Sequence, residues 1–98
     1  MKTIEAKDVQ KKLENGEDLN IIDVREDEEV AAGKIPGAKH IPLGSIEGRT
    51  NELDSSTSYI MVCRSGGRSS QATQFLEQQG FDVTNMNGGM MSWEGKTE

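Results

Sequence analysis

At 98 residues the chain has room for one core and not two, since domains commonly run to roughly 100–150 residues. Its 17 acidic against 11 basic residues leave a formal net charge of −6, which argues against non-specific binding to nucleic acid or to an anionic membrane surface. A single cysteine, Cys63, and a single histidine, His40, exclude an internal disulfide and cannot by themselves supply a four-ligand zinc site.

A lone thiol fits a reducing compartment. No apolar run approaches the roughly 20 residues of a membrane span, and residues 1–5, "MKTIE", lead into charged sequence without a signal-peptide core. The expectation is a single cytoplasmic domain over residues 1–98. Few aromatics and an acidic surface give no reason for an obligate interface, so a monomer is expected.

Taken in chain order, Ala6–Glu14 places Val9 and Leu13 four apart among charges, with Asn15-Gly16 as a stop, and predicts a short amphipathic helix. Residues 20–24, "NIIDV", form a β-branched run with no helical period. They predict a strand buried on both faces that emerges at Asp23 and Arg25. From Glu26, "EDEEVAAGK" predicts a short helix whose early acids complement the positive end of its dipole and which Gly33 ends.

Two prolines and a glycine in "IPGAKHIPL" force a turn and then a short extended piece around residues 39–41. Residues 44–53 predict one or two helical turns interrupted near Gly48, and 54–58 a polar loop. Residues 59–63, "YIMVC", predict a second buried strand. After a glycine pair, "RSSQATQFLEQQ" carries Ala72, Phe75 and Leu76 at helical spacing until Gly80 closes it. Residues 81–86 read as a further strand, Gly88-Gly89 opens a final turn, and both termini are expected to fray. Strands alternating with helices predict an α/β domain with a small, mainly parallel central sheet flanked by helices.

The stretch "VCRSGGRSSQ", residues 62–71, holds the thiol at the carboxyl edge of a predicted parallel strand, where open α/β sheets bind ligands. Gly66 and Gly67 allow the backbone to turn several N–H groups inward as a nest for an anion or a thiolate. The helix starting near Arg68 or Ser69 adds the positive end of its dipole. Arg64 and Arg68 add formal charge, and together these features are expected to lower the thiol below its free value near ~8.5 and make it a nucleophile.

Four ordered segments, "IIDVRE", "GKIPGAKHIPL", "VCRSGGRS" and "MNGGMMSW", resemble the single-domain rhodanese-type sulfurtransferases across almost the whole chain. The resemblance implies a rhodanese-like fold in which Cys63 takes a sulfane sulfur from thiosulfate or a related persulfide donor, holds it as a persulfide and passes it to an acceptor. Arg64 and Arg68 are the candidates for binding the small anionic donor. The backbone of Ser65, Gly66, Gly67, Arg68 and Ser69 would cradle the sulfur, and Asp23 and Arg25 match a supporting polar segment. Cyanide, a small thiol, a thioredoxin-like protein or a sulfur-using enzyme are the implied acceptors. No metal and no cofactor are needed for thiolate attack on a sulfur–sulfur bond.

The remaining residues have simpler readings. Asp23 and Arg25 fit a strand-end ion pair at least as well. His40 lies in a proline-flanked structural segment, Trp93 reads as a packing anchor, and residues 26–29 read as a solvated helix face. Rival functions remain open. A related cysteine-loop phosphatase or arsenate reductase generally shows Cys-x5-Arg, whereas four residues separate Cys63 from Arg68. A non-catalytic regulatory module is the rival from another class.

Overall fold

The two apolar runs read as buried strands lie side by side in the middle of one sheet. In the computed structural model, which describes residues 1–98, β2 (Asn20–Asp23) and β4 (Ser58–Val62) pair in parallel, with Ile22 opposite Met61 and Asp23 opposite Val62. On one side β3 (Lys39–His40) extends β2. On the other, β5 (Asp82–Asn87) pairs with β4 and β1 (Lys2–Glu5) with β5, giving the order β1-β5-β4-β2-β3 with every pairing parallel.

Because strand side chains alternate between faces, neighbours such as Ile21 and Ile22 enter different cores. Ile22, Met61 and Val83 join Val24, Ile41, Ile46, Cys63, Ala72 and Leu76 on one face, while Ile21, Val62 and Met86 join Ala6, Val9, Ile35 and Ala38 on the other. Burial on both faces explains why these strands show unbroken apolar character instead of alternation. The first core is covered by α3 (Leu43–Ile46) and α4 (Gly67–Gln78), and the second by α1 (Ala6–Glu14) and Trp93.

Most sequence expectations hold within a residue or two. The helix over Ala6–Glu14 has the expected bounds, α2 spans Asp27–Ala31, and α3 continues into a 3-10 stretch, Glu47–Glu52, that breaks its helical geometry at Arg49. β4 stops one residue before Cys63, α4 starts at Gly67, and the turn after Gly88 is a 3-10 turn over Gly89–Ser92. No helix is long and apolar enough to cross a membrane.

The termini differ from expectation. Residues 2–5 form β1, placing Ile4 opposite Met86, with Lys2 ion-paired to Asp82. At the other end, Lys34 and Glu98 exchange backbone hydrogen bonds of 3.1 and 2.9 Å, and the Glu98 carboxylate accepts from Lys34 Nζ at 2.9 Å and from the Gly37 N–H at 2.7 Å. Both ends are tied by long-range partners, which local sequence does not advertise.

Candidate active site

Cys63 follows β4 directly and is buried, 1% exposed, at the floor of the loop leading into α4. Gly66 adopts φ +110°, a conformation open to glycine, and this turns its N–H onto Cys63 Sγ at 3.0 Å. Ser69, in the first turn of α4, sets its hydroxyl 3.3 Å from Sγ and 3.3 Å from the Gly66 carbonyl, so its one proton serves one acceptor at a time. Thr73 donates to the Ser69 carbonyl at 2.7 Å beneath it. Burial opposes ionisation of Cys63, but the Ser69 hydroxyl and the backbone N–H groups of Ser69, Gly66 and Ser65 outweigh it and hold the thiol below its ordinary value.

The back of the loop is closed by the turn after β5. Met90 and Met91 donate their N–H groups to the Cys63 and Arg64 carbonyls, each at 2.9 Å. Gly89, at φ +56°, makes this approach possible, because a Cβ there would lie 2.5 Å from the Cys63 and Arg64 carbonyl oxygens. Asn85 reaches the Gly66 carbonyl from β5 with Nδ2 at 3.4 Å, and its Oδ1 is buried without a partner. Neither Gly89 nor Asn85 stands out as a site residue in the sequence; the Gly88-Gly89 pair and the segment "MNGGMMSW" point to Gly89 without giving it a role, and nothing points to Asn85.

The two arginines of the loop differ. Arg64 is exposed and makes no ion pair. Arg68 is held in a fork by Glu29 of α2, Nη1 to Oε1 at 2.6 Å and Nη2 to Oε2 at 2.8 Å. Its hydrogen bond, joined by one from the Glu26 N–H, holds the Glu29 carboxyl down to about 2. The Cys63 charge adds to the upward shift of the Arg68 guanidinium, yet hydrogen-bond donors, and not the arginines, lead in lowering the thiol. Residues 26–28 are exposed, as read from the sequence, and the correction falls on Glu29, which is no solvated bystander.

Asp23 and Arg25 form a buried pair, not an exposed one. Arg25 donates through Nε and Nη2 to the Asp23 carboxylate at 2.8–3.1 Å, and also to the Gly33 and Glu29 carbonyls at 2.8 and 3.4 Å. The pair thus ties the end of β2 to α2, the helix that carries Glu29. His40 donates from Nε2 to the Arg25 carbonyl at 2.7 Å, and Trp93 donates to the Lys96 carbonyl at 3.0 Å while packing on the second core. A surface cavity of 490 Å³ lies between α1, Pro36 and residues 93–96 and includes no residue of the Cys63 loop. The thiol sits in a tight loop, with donors at 3.0 and 3.3 Å.

The family model of the rhodanese-like domain matches residues 5–96. A protein of Bacillus subtilis named "Putative sulfurtransferase YtwF" is 47% identical over 98 residues, spanning 100% of this chain and 95% of that one. A second Bacillus subtilis protein, "Putative sulfur carrier protein YrkF", is 48% identical over 88 residues, 89% of this chain but 48% of its own length. The crystal structure of a rhodanese-like domain protein from Staphylococcus aureus superposes with a TM-score of 0.94 at 38% identity, covering 100% of this chain and 97% of that one. With its strand order, its cysteine loop and a family match over nearly its whole length, the chain belongs to the rhodanese-like domain family.

Proposed function

We propose that the chain is a sulfurtransferase that carries a sulfane sulfur on Cys63 as a persulfide, taken from thiosulfate or a related persulfide donor and delivered to a nucleophilic acceptor. The observation that carries this reading is the setting of Sγ, which receives the Gly66 N–H at 3.0 Å and lies 3.3 Å from the Ser69 hydroxyl at the start of α4. Donors of this kind stabilise a sulfur anion both before attack and after the sulfur has been gained.

In the first half-reaction the Cys63 thiolate attacks the outer sulfur of the donor. The donor's sulfur–sulfur bond breaks, and its electron pair leaves on sulfite or on a thiolate. The backbone of Ser65, Gly66, Gly67, Arg68 and Ser69 cradles the new terminal sulfur, Arg64 meets the departing anion, and Asp23 with Arg25 supports the loop from below through α2. In the second half-reaction an acceptor such as a thiol, cyanide or a thioredoxin-like protein attacks that sulfur and regenerates the Cys63 thiolate. Residues 1–98 act as one unit, and a single free thiol suits the cytoplasm.

The test is the intact mass of reduced protein after incubation with thiosulfate or an organic persulfide. Wild type gains one sulfur atom that reductant removes, and Cys63→Ser gains none. A wild-type protein that takes sulfur from neither donor, or a Cys63→Ser variant that still does, overturns the reading.

A further inference from the structure

The Glu29–Arg68 fork sits at the rim of the sulfur loop and sets how much positive charge a donor meets there. Both terminal nitrogens of Arg68 are committed to Glu29, at 2.6 and 2.8 Å. Glu29 is itself fixed on the same helix. Its Oε1 accepts the Glu26 N–H at 3.0 Å, and its carbonyl accepts from Arg25, which is locked on buried Asp23. Arg68 is thus not a free cation awaiting an anion, and Arg64 is the loop arginine without a carboxylate partner. Taken together, Arg64, Arg68 and Glu29 present one net positive charge, which the neighbouring Glu26 carboxylate, also acting on Arg68, reduces.

The two donor classes place different demands on that rim. Thiosulfate brings two negative charges. When its outer sulfur moves to the Cys63 thiolate, the electron pair of the broken bond leaves on sulfite, a dianion, and Cys63 is left as a persulfide anion. An uncharged alkyl hydropersulfide transfers its outer sulfur with the proton still attached, and a thiolate with one negative charge departs. A net positive charge of at most one comes nearer to balancing the monoanion than the dianion.

We infer that Glu29 is a specificity-determining residue that, by occupying Arg68, biases the loop toward hydropersulfide donors and against thiosulfate. The inference rests on sulfur transfer at Cys63. It assigns to α2 a role in donor choice that acts through Arg68 and not through contact with the reacting sulfur.

The experiment measures the rate of single-sulfur gain by quenched intact mass, with thiosulfate and with an uncharged alkyl hydropersulfide, in wild type, Glu29→Gln and Glu29→Gln/Arg68→Gln. Glutamine keeps an acceptor for the Glu26 N–H, so α2 retains its cap, and the hydropersulfide rate serves as an internal check on the loop. Freeing Arg68 in Glu29→Gln raises the second-order rate constant for thiosulfate about three- to tenfold at low ionic strength, leaves that for the hydropersulfide within about twofold, and gives a gain that shrinks with salt. Removing Arg68 as well abolishes the gain. Slower transfer from both donors in Glu29→Gln, an unchanged thiosulfate rate, or a gain that survives loss of Arg68 overturns the inference. Wild type that gains sulfur from neither donor removes instead the sulfur-transfer reading beneath it.

Discussion

A buried thiol is expected to ionise late, and Cys63 is 1% exposed, yet it is held below its ordinary value. The contest is decided by short-range donors that the fold aims at one atom. Among these, Ser69 is the side chain that mutation can remove without disturbing the backbone. Ser69→Ala takes away the hydroxyl 3.3 Å from Sγ and leaves the Gly66 N–H in place. The expected outcome is a shift of the iodoacetamide-reactivity midpoint to higher pH and a rate at neutral pH lowered by roughly three- to tenfold, in keeping with the net worth of a single hydrogen bond. An unshifted midpoint would mean that the backbone donors suffice. Sequence made the loop legible because Cys63, the glycine pair and Ser69 are contiguous. It gave the backbone nest, the helix dipole and the two arginines as joint causes and did not rank them or show that the Ser69 hydroxyl leads, because formal charge is visible in sequence and hydrogen-bond direction is not.

At the level of elements, the junction of β2 with α2 organises the site. Asp23 closes β2, Arg25 lies two residues on, and the guanidinium spans from the Asp23 carboxylate to the Gly33 and Glu29 carbonyls. Both side chains are nearly sealed from water, at 7% and 1% exposure, so neither charge is well hydrated without the other. Asp23→Ala leaves a buried guanidinium with carbonyl partners alone and should cost about 3–5 kcal/mol, seen as a lower urea midpoint. A change under about 1 kcal/mol, the range of an exposed pair, would show that water enters the site freely. The strand-end ion pair is legible from "IIDVRE" as a possibility, but its burial depends on α2 folding back over it.

For the molecule as a whole, stability draws on contacts that join distant parts of the chain. β1 adds an outer strand to β5, sets Ile4 against the second core and carries the Lys2–Asp82 ion pair. It is separated from β4 by β5, and the contact of this segment with the start of α4 is an exposed one, Met1 Sδ accepting from the Ser70 hydroxyl at 3.5 Å. Deleting residues 1–5 should therefore lower unfolding free energy by about 2–4 kcal/mol, the worth of one part-buried isoleucine and a few strand hydrogen bonds. The rate of sulfur gain in the fraction that stays folded should be unchanged. Urea unfolding paired with mass-detected sulfur uptake checks both, and a loss of uptake in folded protein would reveal coupling between the sheet edge and the loop.

Local sequence determined the parallel α/β plan, the two central strands, α1, α4 and the cysteine loop. Each is written in side-chain periodicity or in turn chemistry within a dozen residues. Tertiary structure decided what lies across the sheet from these pieces. Glu29 meets Arg68 from 39 residues away, Gly89 admits the Met90 and Met91 N–H groups to the back of the loop, and Glu98 pairs with Lys34. Residues 2–5 carry no strand signature of their own and become β1 because β5 offers them an unpaired edge. Local propensity is a property of neighbouring residues, whereas a partner is chosen by strand order, and only the folded chain brings those residues within hydrogen-bonding distance.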